Sequence, residues 1–179
     1  PGPVQRTGRN LDAMAQGNAW FTVQGLDGTE AYTRSGIFEI SPTNTLVTPT
    51  GLPVLSDGGA PIDVPQGADI TLGTDGTISA KVAGQASTSL GRLKMVTPDA
   101  DNPIKRGDDG LFRGATGDPL PQDANAKLLG GAIEGSNVNA VATMVGMIQT
   151  ARQFETQMRL LQTAETNDKS ASQLLNVQG

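Results

Sequence analysis

Neither cysteine nor histidine occurs anywhere in the 179 residues. The first absence removes disulfides, thiolate metal sites and thiol nucleophiles. The second removes the Ser-His-Asp triad, the Cys-His pair and imidazole zinc ligation. Whatever chemistry remains rests on carboxylates, lysines and hydroxyls. Aromatic residues are scarce at 3%, with Trp20 and Tyr32 the sole tryptophan and tyrosine, while glycine (23) and proline (11) are plentiful. That balance favours short strands and many turns over a deep, aromatic-lined pocket. A run of about eighteen apolar residues is also missing, which excludes a membrane-spanning helix, and no basic start followed by a short apolar segment marks a cleavable signal. Basic residues are in the minority: 13 Lys and Arg, scattered singly, against 18 Asp and Glu give a net charge of -5, which argues against a nucleic-acid surface.

What the chain does have is alternation. Trp20-Phe21-Thr22-Val23-Gln24, the turn Asp27-Gly28 and Glu30-Ala31-Tyr32-Thr33-Arg34 predict a hairpin. Phe38 with Ile40, Leu46-Val47, Val54-Leu55, Ile62 with Val64, Ile70 with Leu72, and Ile78 with Ala80 and Val82 continue the pattern, punctuated by Pro and Gly. Leu90 to Val96 reads as one further strand, and Pro98 to Pro119 as loop around a brief Leu111-Phe112 pair. The fold class expected is mainly β: an antiparallel body of short strands, like a meander or small barrel, followed by a long C-terminal α-helix. The corresponding division is an extended lead-in over 1–16, a β-rich body over 17–120, a linker over 121–135 and a helical segment over 136–179. The abrupt start at Pro1-Gly2-Pro3, without an initiator methionine, is expected to follow a segment that the chain lacks.

The helical segment carries the clearest signal. Ala140, Met144, Met147, Ala151, Phe154, Met158 and Leu161 recur at alternating spacings of four and three, the seam of a coiled coil over about three heptads. Ser136 or Asn137 is the expected cap of a helix running to Thr166. Beside the seam lies a second apolar row, Val141, Val145 and Ile148, while Arg152, Glu155, Arg159 and Glu165 fall on the polar face. No other stretch offers a matching seam, so the expected cover is another chain or a missing part of this one. The candidate assembly residues are Val141, Met144, Val145, Met147, Ile148, Ala151, Phe154, Met158 and Leu161.

Carboxylate sites are weaker candidates. Asp108-Asp109 before Gly110 offers oxygen ligands, but without EF-hand spacing it reads as an exposed turn. Asp27 with Glu30 could be paired acids for glycoside cleavage, yet their place at a hairpin turn explains them. Gly73-Thr74-Asp75-Gly76 lacks the Gly-Lys-Ser/Thr ending of a phosphate loop. Trp20 reads as an anchor of the first hairpin before it reads as a sugar platform. No cofactor, metal or catalytic residue is expected.

Gly135-Ser136-Asn137-Val138-Asn139-Ala140-Val141, then Met144, Met147-Ile148, Arg152, Phe154-Glu155 and Gln157-Met158, ending in Gln162-Thr163-Ala164-Glu165 and Asn167-Asp168, closely resembles the C-terminal signature of bacterial flagellar rod and hook proteins, above all their proximal rod members. Gly28-Thr29-Glu30-Ala31-Tyr32-Thr33-Arg34-Ser35-Gly36 with Phe38, Leu46-Val47-Thr48, Gly51 and Pro53-Val54-Leu55 resembles their core hairpin. One departure is Thr43-Asn44-Thr45, where relatives place a turn glycine, which leaves the turn type there open. The resemblance implies a non-enzymatic structural subunit whose terminal helices pack with other rod subunits and with copies of itself into a drive shaft. It also implies an N-terminal helical segment ahead of Pro1, export unfolded through the flagellar type III apparatus without a cleavable signal, and a place in the basal body, with no small-molecule substrate. The alternatives are a distal rod or hook subunit and, in a different class, a carboxylate-dependent module that cuts cell wall or binds sugar.

Overall fold

Six tight turns of one design shape the β body. In residues 25–29, 41–45, 48–52, 56–60, 73–77 and 107–111 the N–H of the first residue donates to the carbonyl of the fifth, and the N–H of the fourth donates to the carbonyl of the first. The fourth residue has positive φ each time: Gly28 (77°), Asn44 (61°), Gly51 (82°), Gly59 (78°), Gly76 (88°) and Gly110 (81°). This is the three-residue hairpin loop that closes on a left-handed residue. Asn44 settles the departure at 43–45, because asparagine tolerates left-handed backbone better than other side chains and keeps the same turn without glycine. In three of the turns an aspartate braces the loop, Asp27, Asp75 and Asp109 accepting from the backbone N–H of Thr29, Thr77 and Leu111.

A computed structural model of the chain describes residues 2–136 and 140–176, with side chains for 2–136, 144–167 and 169. The chain divides into two units, Pro1–Asn137 and Val138–Gly179. In order, the strands are β1 (Val4–Arg6), β2 (Ala13–Ala15), β3 (Trp20–Gln24), β4 (Glu30–Thr33), β5 (Glu39–Ile40), β6 (Leu46–Val47), β7 (Asp69–Leu72), β8 (Thr77–Lys81), β9 (Thr88–Arg92), β10 (Met95–Val96), β11 (Ile104–Arg106), β12 (Phe112–Gly114), β13 (Leu128–Gly130) and β14 (Ala132–Glu134), followed by the helix α1 (Ala140–Asn176). All the strand pairs are antiparallel. They form five small sheets: β10-β3-β4-β12-β11, the meander β7-β8-β9, and the pairs β1-β14, β13-β2 and β5-β6.

The first hairpin is as expected, Phe21 opposite Thr33 and Gln24 opposite Glu30. Phe21, Val23, Phe38, Leu46, Val54, Ile78, Leu93 and Leu128 lie in one buried cluster, with the rings of Phe21 and Phe38 edge to face at 5.2 Å. On the other side of the large sheet Tyr32, Val96 and Leu120 form a second cluster, and Trp20 packs there against Phe112 at 4.6 Å. Tyr32 is fully buried. Its hydroxyl donates to Glu30 Oε1 (2.9 Å) and accepts from the Leu120 N–H (2.6 Å), so neither buried polar group is left dry.

Several boundaries differ from the sequence expectation. The stretch from Leu90 to Val96 is not one strand: it breaks after Arg92, β9 pairing with β8 and β10 with β3, beside a β-bulge and a left-handed Gly91 (φ 130°). Pro98 to Pro119 is not all loop, because the turn at 107–111 closes the hairpin β11-β12, which adds Ile104 and Phe112 to the second cluster. Ile62 and Val64 are buried but make only isolated bridges through their neighbours. The stretches expected as lead-in (1–16) and linker (121–135) hold paired strands: β1 pairs with β14 and β2 with β13, so the two ends of the first unit are stitched to each other. Strands of three residues show no period, and the pairing spans more than a hundred residues, which hides it from local reading.

Arg34 fastens this stitched edge. Its guanidinium holds Glu134 through Nε (2.8 Å) and Nη2 (2.7 Å), donates from Nη1 to the carbonyls of Gly17 (2.9 Å) and Ala19 (2.6 Å), and lies 5.8 Å from the Trp20 ring centre. Glu134 also accepts from the Gly2 N–H at 2.6 Å. Burial works to raise the Glu134 carboxyl, but the Gly2 amide and Arg34 outweigh it and leave the group below its ordinary 4.5. Asp27, held by the Thr29 hydroxyl, Asp75, held by the Thr77 amide, and Asp109, held by Arg113, also lie below their ordinary 3.8. A depressed carboxyl stabilises the fold above its unfolded pKa, and that contribution is lost as pH falls through the folded value. The melting temperature of the β body is therefore expected to be level above ~pH 5 and to fall steeply below ~pH 4. Thermal melts across that range check it, and Glu134→Gln is expected to flatten part of the acid limb.

Candidate functional site

The second unit is a helix of 37 residues, roughly 55 Å long at ~1.5 Å per residue. It runs ten residues beyond Thr166, where the apolar pattern ends, and stays within the helical segment expected over 136–179, since no proline or glycine intervenes before Asn176. Its expected start at Ser136 or Asn137 and the adjoining Val138 cannot be compared, because 137–139 lie outside the described residues. The side chains of Ala140 and Val141 lie outside them as well, although both residues belong to the helix.

The remaining candidates are exposed. Met144, Met147, Ala151, Phe154, Met158 and Leu161 keep the four-three spacing on one face, and Phe154 presents 64% of its surface to solvent. Val145 and Ile148 are exposed on the flank beside it. On that flank the apolar character stops after Ile148, and Arg152, Glu155 and Arg159 take over. Among the described residues these three make no ion pair within the helix, so they stand as solvated charge. Leu160, at 65% exposure, escaped the pattern because it falls outside both rows; a single exposed leucine is ordinary.

The helix satisfies its own hydroxyls. Thr150, Thr156, Thr163 and Thr166 each donate to the carbonyl four residues back, those of Gly146, Arg152, Arg159 and Gln162. Such back-bonding slightly weakens a helix but turns the methyl outward. Methionine at three of the six described seam positions suits an apolar contact that must adapt to differently shaped neighbours.

Of the weaker candidates, Asp27, Glu30, Asp109 and Trp20 are engaged elsewhere. Asp27 and Glu30 share a cleft of about 410 Å³ with Arg113. The Asp27 carboxylate, however, is held by Thr29 (2.7 Å) and Arg113 (3.2 Å), and Glu30 by Lys94 (2.7 Å) and Tyr32. Asp109 is bound by Arg113 at 2.8 Å, which ties the turns 25–29 and 107–111 together. Trp20 has its face against Phe112 and Arg34.

Two family models match the chain. One, described as flagellar hook protein FlgE/F/G D1 domain, covers residues 14–80; the other, described as flagellar basal body rod FlgEFG protein C-terminal, covers residues 129–174 and so takes in β14 and nearly all of the helix. The flagellar basal-body rod protein FlgF of Escherichia coli is 42% identical over 99% of this chain and 73% of its own length. Its counterpart in Salmonella typhimurium is 41% identical over the same shares, and the FlgF of Caulobacter vibrioides is 33% identical over 97% of this chain and 69% of its own. The two matched models and the level of identity lead to one conclusion: this chain belongs to the family of flagellar basal-body rod proteins, in its FlgF group.

Proposed function

We propose that this structural rod subunit assembles by burying the exposed seam of α1 against helices of neighbouring subunits, and that it sits in the proximal part of the rod. The observation that carries the reading is the row Met144, Met147, Ala151, Phe154, Met158 and Leu161, apolar, regularly spaced and exposed on a 37-residue helix. Covering its five large side chains would contribute on the order of 10 kcal/mol before costs. Immobilising a subunit costs roughly 4–15 kcal/mol. A single seam is therefore near break-even, and a subunit stays only when several neighbours hold it, which makes growth cooperative. A lone helix in water is marginal, so ordering of the tail is coupled to assembly.

The chain acts by polymerisation and not as an enzyme: of the acids that suggested cell-wall chemistry, Asp27 braces its turn and Glu30 pairs with Lys94 and Tyr32. Its partners are other rod subunits and copies of itself, torque passes along the helix seams, and the β body sets radius and lateral contacts. Subunits travel unfolded through the flagellar export apparatus, a route open to small hairpin sheets that carry no disulfide. Localising an epitope-tagged full-length protein along purified basal bodies tests the reading. A position at the membrane-proximal rod is expected, and a position in the distal rod or hook, or release of muropeptides from peptidoglycan by the purified protein, would overturn it.

A further inference from the structure

The two flanks of the α1 seam are unlike each other, and one carries a glycine that no contact among the described residues explains. On one side run Val145, Ile148, Arg152, Glu155, Arg159 and Gln162; on the other run Gly146, Thr150, Gln153 and Gln157. Gly146 lies in the helix interior, where glycine costs about 1 kcal/mol relative to alanine. It needs no left-handed backbone, and a Cβ built on it meets nothing within 4 Å. Among the described residues, nothing in its surroundings requires the missing side chain. Next to it, Thr150 donates to the Gly146 carbonyl (3.0 Å), which turns its methyl outward beside the open space where a side chain at 146 would stand, a notch on this flank.

We propose that this notch receives Val145 and Ile148 of a second, parallel copy of this chain, so that adjacent copies pack flank against opposite flank. Both side chains are about half exposed, at 47% and 54%, and they lie at the level of the notch. Further along, Arg152, Glu155 and Arg159 of one copy come opposite Gln153 and Gln157 of the next. A glutamine amide both donates and accepts, and so satisfies either sign of charge. The alternative, like flank on like flank, sets Arg152 against Arg152 and Glu155 against Glu155, which is repulsive. It also makes a two-fold contact that stops at two subunits, whereas a contact between unlike flanks repeats around an axis.

This inference rests on the helix-assembly reading above, and the test separates the two. The chain has no cysteine, so engineered pairs report without background. In full-length protein assembled into rods, Val145→Cys with Thr150→Cys is expected to give a ladder of disulfide-linked multimers on oxidation, and either change alone no dimer. Dimers from Val145→Cys alone, or intact rods that yield no ladder, would overturn the flank assignment while leaving assembly itself standing. Links to a different rod protein in place of a ladder would overturn the choice of a second copy. Gly146→Leu supplies the control for folding: helix content of the free chain is expected to rise, because leucine is the better helix former, while rod assembly and swimming are lost. Rods formed by Gly146→Leu as readily as by the parent chain would also sink the proposal.

Discussion

Cells carrying Phe154→Asp are expected to build no rod and not to swim, while the purified variant melts with the same β-body transition as the parent chain. Phe154 is central in the seam and exposed before assembly, so its replacement removes nothing that the free fold uses. In the polymer the change loses the burial of a large aromatic, about 3 kcal/mol, and adds a carboxylate to an apolar contact, which costs at least as much unless a partner charge is found. Together these exceed roughly 5 kcal/mol per subunit, more than a thousandfold in affinity. The effect recurs at every copy. Circular dichroism melts combined with electron microscopy of basal-body preparations check both halves, and normal motility would count against the seam as the assembly surface.

Gly36→Ala is expected to act in the opposite place, destabilising the body without touching the helix. Gly36 follows β4, and its carbonyl accepts from the Ala13 N–H at 2.8 Å, holding β2 to the core. A Cβ there would sit 1.7 Å from the Ala13 carbonyl oxygen and 2.8 Å from the Phe21 ring. The first obstacle is backbone, which cannot swing aside as a side chain does, so the added methyl must push β2 and with it the paired β13 out of place. Overpacking of this kind costs about 3 kcal/mol or more, on the order of 10 °C in melting temperature for a chain of this size. Gly58→Ala is the matched control, since its nearest neighbour is the Ser56 hydroxyl at 3.7 Å and no shift is expected. A Gly36→Ala variant as stable as the control would show that β2 is free to move.

Both results depend on features with different visibility in the sequence. The seam was legible because a four-three period needs only local counting, and the first hairpin because Asp27-Gly28 marks its turn. Gly36 could be seen as part of a family-like block, but its reason is a contact with Ala13, 23 positions away, that no spacing reveals. The same holds for Arg34, whose partner Glu134 lies 100 residues on, and for β1 and β2, too short to alternate and paired with strands at the far end of the body. The break after Arg92 leaves no mark in the sequence, because the apolar residues on its two sides continue in step while their hydrogen-bond partners change. On the helix, the rows were readable but the significance of Gly146 was not. Only the open space around it separates a glycine that the chain needs from one that a neighbour needs.

Methionine oxidation reads the central claim most directly. Of the five methionines, Met14 and Met95 are buried in the body, whereas Met144, Met147 and Met158 lie on the seam with 64%, 68% and 44% of their surface exposed. Dilute peroxide followed by peptide mass analysis distinguishes them, since accessible thioethers convert to the sulfoxide first. In the free chain the three seam methionines are expected to oxidise and the two core methionines to be spared; in assembled rods all five are expected to be protected. Seam methionines that oxidise as fast in rods as in the free chain would contradict the account, because the ridge held to drive assembly would then still be wet.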